Sequence, residues 1–596
     1  MNRSYATRHD VVSPDAKPKE AKKEGHRETI EAIVVAMILA LLVRGFEAEA
    51  FVIPTGSMAP TLMGRHKEVT CPQCKFVYSV NASGEEGGGA PPLGIGGFRF
   101  RANAEGRPGS RVVAGTCVNC RFHADLSGEP TFNGDRILVM KFNYDMPFLP
   151  GASEPERWDV VVFRYPEEPE VSYIKRLVGL PGENLRISHG NIYIKRAGSK
   201  DYEIARKPVK HQQAMAMMVY DDRHRAAAMW NKPEWLRWTS TTPTTWKEGV
   251  VGSYSVSAKP GEVAELRYRN LVPDPEQWDA IVNDQELPRK PQSTLITDFY
   301  SYNTNQSTNS RNDDVALAHP DWVGDLSLST RLEVKEAKGV VQFELVEGGV
   351  RNQAEINLAD GIVKLLRDGK VLSQDKATAS VGVGSHVVHF ANFDNRLSLV
   401  VDGKAIFGDG LAYDDGAETL VLPTVADLAP AAVRAEGASI GVSDLVLKRD
   451  IYYTLTPGHH DYDRFWDEAY TPTTTVELFD NLANPSRFAF LANLPPKDYQ
   501  IGENRFLMLG DNSPMSRDSR GWNNADRRNS SYEIDEPGAG WDTSNRESWE
   551  VPRNLLTGKA FFVYWPHGKP FGPDIRLSPD FRVPFRPYVE RMKWIR

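Results

Sequence analysis

The pattern of apolar and polar positions changes character several times along the chain. Residues 1–28 mix charges with small polar residues and show no apolar period, as a solvated tail does. From Ile30 to Val43 the chain reads IEAIVVAMILALLV, with Glu31 its only charge. That run is shorter than the ~20 residues a bilayer span needs. Continuing through Arg44, Gly45 and Phe46 to Phe51 supplies the length, with the charges near the ends. Arg3, Arg8, Lys17, Lys19, Lys22, Lys23 and Arg27 precede it, so the positive-inside rule puts the tail in the cytoplasm and the rest across the membrane. A cleaved leader is the alternative, because Ala48-Glu49-Ala50 has the small-x-small form of a cleavage site. Either reading exports everything that follows.

Beyond the span, short apolar runs bounded by Gly, Pro and Asp predict strands, and none has a long 3.6-residue period. FVIPTGSMAPTLMG (Phe51–Gly64) reads as a strand entering a turn, and DRILVMKF, WDVVVFRY, YIKRLVGL and NIYIK follow between residues 132 and 194. A separate block, 225–455, contains VVGSYSV, EVAELRYRN, TLITDFYSY, DLSLSTRLEV, VVQFELV, GIVKLLR, SHVVHFAN, RLSLVVDGKAIF and IGVSDLVLK. Many short strands at this spacing predict a β-sandwich, and Asp402-Gly403 is a hairpin signal. The stretch HVVHFANFDNRLSLVVDGKAIF (His386–Phe407) resembles the concanavalin-like or laminin-G jelly roll.

Composition narrows the field. A chain of 596 residues makes about four domains at ~150 residues each. Hydrophobic residues at 41% and charged residues at 25% exclude a disordered or collagen-like chain. A net charge of −8 gives no electrostatic case for a nucleic-acid binder. The 47 glycines and 40 prolines fit a turn-rich β protein, and four cysteines are too few for a disulfide-dense scaffold.

Ser57 lies between Pro54-Thr55-Gly56 and Met58-Ala59-Pro60, residues that fix an unusual turn and can hold a hydroxyl exposed. Taken alone, it is an ordinary turn serine. A serine needs a base to become a nucleophile, yet no histidine triad motif and no G-x-S-x-G elbow is present. Lys175, in the apolar run YIKRLVGLPGE, is either a surface lysine of an edge strand or a buried amine with a lowered pKa. Lowering that pKa from ~10.4 to near neutrality corresponds to ~4 kcal/mol, which burial can supply. Arg176 belongs on the opposite strand face.

Taken in order, IPTGSMAPTL, GDRILVMKF, WDVVVFRYPEEPEVSYIKRLVGLPGE and GDNSPMSRDSRGW resemble the successive boxes of bacterial type I signal peptidases, which also carry an N-terminal anchor. The resemblance covers residues 29–64, 131–195 and 500–570. It implies a membrane-bound serine endopeptidase that removes signal peptides from exported preproteins. In that family's terms Ser57 is the nucleophile and Lys175 its general base. The Thr55 hydroxyl with the Ser57 N–H forms the oxyanion hole. Ser516 orients the lysine, Asp518 and Arg520 pair to brace the wall, and Asp511 and Asn512 shape the same loop. Ile53, Met58 and Ile174 are the apolar candidates for shallow pockets that take small leader side chains at positions −1 and −3.

Two features depart from that family. Cys71-Pro-Gln-Cys74 and Cys117-Val-Asn-Cys120 form a CxxC…CxxC set, separated by a Gly/Pro-rich loop, Gly84–Gly97. The spacing favours four thiolates on a structural, tetrahedral zinc; two disulfides are the alternative in an exported segment. The sandwich is the other, either carbohydrate-binding or a spacer. His459, His460, Asp461 and Asp463 read as a solvated polar turn.

The expected architecture is mainly β: a signal-peptidase-type catalytic domain with one N-terminal transmembrane helix, interrupted by a small CxxC–CxxC insert and a large sandwich. Its parts are a cytoplasmic tail (1–28), an anchor (29–50), the nucleophile part (51–70), the zinc-ribbon-like insert (71–130), the general-base part (131–224), the sandwich (225–455) and a third catalytic part (456–596). The expected protein sits in the inner membrane, spans it once, and has its catalytic domain outside. Its partners are exported preproteins and lipid, with a carbohydrate or protein ligand for the sandwich. No cofactor enters the chemistry. The competing reading is an anchored envelope- or carbohydrate-binding protein with a non-catalytic peptidase core.

Overall fold

The computed structural model describes residues 48–85, 111–141, 154–308, 321–376, 381–413, 420–457, 474–522 and 549–596, less 167, 579 and 580, with Tyr144, Asp461, Pro472 and a few positions between 30 and 37. The chain divides into two compact units, Met1–Glu49 and Ala50–Arg596. The expected anchor falls mostly outside the described residues. Of its positions, Ile30, Glu31, Ile33, Val34, Val35 and Met37 are helical and exposed. No helix among the described residues is long and apolar enough to cross a membrane.

The second unit is mainly β. One sheet contains β1 (Ala48–Val52, whose residues from Ala50 on belong to this unit), β2 (Arg136–Met140), β3 (Val160–Tyr165), β4 (Glu168–Gly179), β5 (Arg505–Leu509), β6 (Glu550–Pro552), β7 (Leu556–Trp565) and β8 (Lys593–Trp594). The strand order is β1-β2-β7-β3-β4-β5-β6, with β8 paired to β7. Within WDVVVFRY the four residues Val160–Phe163 are apolar without interruption because both faces of β3 are covered there. Val160 and Val162 join Phe51, Ile137 and Val563 in one buried cluster. Val161 and Phe163 join Leu177, Phe506 and Trp522 in another. The alternation of strand side chains thus feeds two cores from one run.

A nine-stranded and a seven-stranded sheet share a third buried cluster that includes Leu328, Phe343, Phe390, Leu399 and Val433. Antiparallel strands Leu326–Val334, Gly384–Phe393 and Ser439–Arg449 lie at the middle of the larger sheet. Its strands begin earlier than residue 225, with Met217–Asp221 paired to Ser439–Arg449. Asp402 and Gly403 both have positive φ, 49° and 77°, as the hairpin signal requires.

One expected strand is absent. TLITDFYSY, Thr294–Tyr302, forms only an isolated bridge, Thr297 to Trp322, and then a short 3₁₀ turn at Ser301–Asn303. Its apolar residues are buried against different bodies, Ile296 in the sandwich core and Leu295 in a neighbouring cluster, so the alternation reflects burial without a ladder.

Candidate active site

The turn that carries Ser57 closes on itself and is then held from outside. Within it, Ala59 N–H donates to Gly56 O at 3.0 Å, Leu62 N–H to Met58 O at 2.9 Å and Arg65 N–H to Pro54 O at 3.2 Å. Asp135, buried at the start of β2, fastens both ends. It accepts from Ile53 N–H through its backbone at 2.9 Å, donates to Met63 O at 2.9 Å, and takes Met63 N–H on its carboxylate at 2.7 Å. The glycine before it is required by space: a Cβ on Gly134 would sit 1.8 Å from Ile53 O. Gly56 is equally tight, since a Cβ there would sit 2.0 Å from the Tyr302 ring.

Lys175 lies on β4, which is flanked by β3 and β5, so it is not a surface lysine of an edge strand. It faces Val161 in register and is 3% exposed. Its Nζ is 2.5 Å from Ser57 Oγ, within hydrogen-bond reach. Burial lowers its pKa from 10.5 to about 8; Asp518 and Asp511 pull it up and Arg520 pushes it down. An amine near neutrality against a serine hydroxyl is the arrangement a lysine base requires.

The wall beside this pair is the loop from Gly510 to Trp522. Asp511 is held by Arg176, through Nε at 2.7 Å and Nη2 at 2.6 Å, and accepts from Thr61 Oγ1 at 2.5 Å. Thus Arg176 ties β4 to the turn that carries Ser57 through one carboxylate. Asn512 N–H donates to Ser57 O at 3.1 Å, and its side chain donates to Gly56 O at 3.2 Å. Asp518 accepts from Gly510 N–H at 2.9 Å and pairs with Arg520 through Nε at 2.9 Å and Nη2 at 2.7 Å. Burial opposes the Asp518 charge, but Arg520 outweighs it and holds the carboxyl below its usual range. Arg520 also donates to Thr454 O and Ser513 O, each at 2.7 Å. Ser516 Oγ is buried with no hydrogen-bond partner among the described residues, so it is not bonded to Lys175 here. It sits against Gly510, where a Cβ would lie 2.1 Å from it and 2.5 Å from Ser57 O.

The remaining expected residues divide. Thr55 is half-buried two residues before Ser57 in the same turn. Ile53, Met58 and Ile174 are brought together, but in the buried cluster under the turn, at 1%, 0% and 6% exposure. Cys71, Cys74, Cys117 and Cys120 are all buried and free, with their sulfurs within 4.8 Å of one another. His459, His460 and Asp463 lie outside the described residues. Asp461 is buried, unlike a residue of a solvated turn. It accepts from Tyr452 OH at 3.2 Å and Leu455 N–H at 2.8 Å, and burial followed by the Asp321 charge pushes its pKa up to about 8.

Sequence reasoning missed Tyr302 and Asn303. Tyr302 packs on Gly56, and Asn303 exchanges two amide hydrogen bonds with Asn512, at 2.7 and 2.8 Å. Both are more than two hundred residues from either box they touch, and no local signal marks such a contact.

Similarity to known proteins is partial. Residues 112–238 match the family described as "Signal peptidase, peptidase S26". Signal peptidase I of Pseudomonas aeruginosa is 50% identical over 68 residues, 10% of this chain and 24% of that protein. A probable signal peptidase I-2 of Synechocystis is 32% identical over 83 residues, 13% of this chain and 35% of that protein. The matched stretches therefore span about a quarter to a third of these relatives' lengths. Among solved structures, a carbohydrate-binding module from Bacillus subtilis aligns with 36% of this chain and 95% of its own, at 9% identity and a TM-score of 0.21, too slight to bear on what the sandwich does. These stretches of the chain are thus similar to signal peptidases.

Proposed function

We propose that this protein is a membrane-anchored serine endopeptidase that cleaves signal peptides from exported preproteins with a Ser/Lys dyad. The observation that carries the reading is the 2.5 Å approach of a buried Lys175 Nζ to Ser57 Oγ. The neutral amine takes the Ser57 proton as Oγ attacks the scissile carbonyl. The Ser57 N–H and the Thr55 hydroxyl receive the developing oxyanion. Lys175 then returns the proton to the leaving amine. A water that gives its proton to Lys175 opens the acyl-enzyme and regenerates Ser57. Ser516, whose hydroxyl has no hydrogen-bond partner among the described residues, is the group that turns onto the lysine as it cycles between charge states. Asp518 and Arg520 keep the wall rigid and set the field at the amine.

The substrate is an extended leader with small side chains at −1 and −3. Exposed apolar positions such as Ile30, Ile33 and Val34 suit a helix facing lipid, and anchoring confines enzyme and substrate to one surface, which raises their effective concentration. The test is cleavage of a preprotein with an A-x-A leader by wild type, Ser57→Ala and Lys175→Ala. Full activity in either variant overturns the reading. The pH profile gives a second check: below about 8 the amine is charged and cannot accept a proton, so kcat/KM should rise with pH and reach half its plateau near 8.

A further inference from the structure

The four cysteines stand at the tips of two hairpins that repeat one another. The first hairpin is His66–Thr70 with Val77–Asn81, and the second is Val112–Thr116 with His123–Asp125. In the first, Lys75 N–H donates to Cys71 O at 3.0 Å and Cys71 N–H to Phe76 O at 2.9 Å. In the second, Arg121 N–H donates to Cys117 O at 2.9 Å and Cys117 N–H to Phe122 O at 3.0 Å. The residue after the second cysteine is left-handed in both, with φ of 60° at Lys75 and 65° at Arg121. Two tips with one backbone, CPQCKF and CVNCRF, aim four sulfurs at one point.

The spacing of those sulfurs identifies what suits that point. Cys71 and Cys120 are 3.5 Å apart, and Cys74 and Cys117 are 3.6 Å apart. Zinc–sulfur bonds of ~2.3 Å in a tetrahedron make edges of about 3.8 Å, whereas a disulfide needs about 2.05 Å. A disulfide would also use the sulfurs in pairs and leave no reason for all four to converge. Small buried hydrophobes would not need the repeated left-handed tips either.

The second hairpin is also a template for the active-site brace. Gln306 and Ser307 pair with Ala114 and Val112 as a third strand, and Thr308 N–H donates to Arg111 O at 2.9 Å. Thr116 N–H, one residue before Cys117, donates to Thr304 Oγ1 at 2.8 Å. The Arg121 guanidinium lies 3.4 Å above the Phe299 ring. The chain between these anchors contains Tyr302 and Asn303, which rest on Gly56 and Asn512.

We propose that Cys71, Cys74, Cys117 and Cys120 bind one zinc ion with no open coordination position, and that this ion fixes the segment from Ser301 to Ser307 against the nucleophile turn. The ion takes no part in the chemistry. It locks the hairpin on which the brace is laid, so its effect reaches Ser57 through Thr304, Asn303 and Asn512. The coupling to catalysis rests on the Ser/Lys reading, but the metal and the brace are measurable without any peptidase assay.

The experiment uses the full-length protein, purified in detergent without chelator. Elemental analysis should return one zinc per chain, with four thiols that titrate only after denaturation in chelator. Cobalt exchanged into the site should show the intense visible bands of a tetrahedral thiolate complex. Reversible stripping of wild type, which needs no variant to fold, should raise amide exchange over residues 301–308 about tenfold, because local protection falls with the loss of its support. Returning zinc should restore it. Cys71→Ser and Cys117→Ser should each abolish stoichiometric zinc. Two disulfides by mass analysis, or iron in place of zinc, overturns the metal assignment. Zinc present with exchange at 301–308 indifferent to its removal overturns the bracing role. If both hold and Ser57→Ala still cleaves leaders, the peptidase reading fails while the zinc site stands.

Discussion

The two halves of the candidate dyad are built in opposite ways. Lys175 comes from the middle of a strand whose partners β3 and β5 flank it, and its lowered pKa follows from burial in that sheet. Ser57 comes from a turn with no ladder of its own, placed by four side chains from three distant parts of the chain: Asp135, Tyr302, and the adjacent Asp511 and Asn512. A base can be made by desolvation, which regular structure provides. A nucleophile must be aimed, and aiming needs contacts from several directions. The comparison makes a definite claim: changes near Lys175 should move the pH dependence, and changes near the turn should move the rate.

The largest effects should come from removing either partner. Ser57→Ala and Lys175→Ala should each lower kcat by about 10⁴-fold or more, measured as cleavage of an A-x-A preprotein. The double variant should be no worse than the singles, because the two groups act as one unit. Additive losses would break the pairing.

Asp518→Asn comes next. It removes the negative charge paired with a fully buried arginine and leaves Arg520 uncompensated, at about 3–5 kcal/mol of stability. It also removes a charge that holds the Lys175 proton, so the midpoint of kcat/KM against pH should move below 8. Denaturant unfolding and a pH profile check the two halves separately. A midpoint that moves upward would contradict the electrostatics assigned to the wall.

Lys175→Met tests the burial argument by stability alone. The folded pKa of about 8 lies below the ordinary 10.5, so the unfolded chain binds more protons between those values. Stability therefore rises with pH across that window, and below pH 8 the fold carries the full cost of a buried ammonium. At about 1.4 kcal/mol per pH unit the cost is ~3 kcal/mol. The inactive methionine variant should be more stable than wild type by up to that amount at pH 7, and the gap should close toward pH 10.5. Urea unfolding at the two pH values measures it, and an equal or less stable variant at pH 7 sinks the claim.

Legibility in the sequence follows the same division. β2, β3 and β4 are readable as apolar runs because burial on one or both faces writes a period into the residues. The strands Val350–Asn357 and Ala431–Glu436 escaped, since Arg351, Asn352 and Gln353 in one and a run of alanines in the other give no strand signal. Ser57, Lys175 and the loop from Gly510 to Arg520 were legible as boxes. The carboxylate that organises the loop was legible too, but its partner was not: Arg176 was expected only to face away from Lys175, and it spans to Asp511, 335 positions on. Tyr302 sits in a run that imitates a strand, and Asn303 directly follows it. Nothing within a few residues of either encodes a contact with Gly56 or Asn512.

Asn303→Ala should give the smallest effect and the sharpest separation. It deletes both bonds of an amide pair and leaves Asn512, 2% exposed, with an unsatisfied oxygen. The loss of about 1–2 kcal/mol falls on the residue that binds Ser57 O and Gly56 O, not on the strand of Lys175. Ser57 is then less well aimed while its base is unchanged. The kcat for leader cleavage should fall about tenfold, as ~1.4 kcal/mol implies, with KM little altered and the pH midpoint still near 8. Asp518→Asn should show the reverse, a displaced midpoint. If Asn303→Ala shifts the midpoint as well, the turn and the strand share one electrostatic environment, and the division between an aimed nucleophile and a desolvated base does not hold.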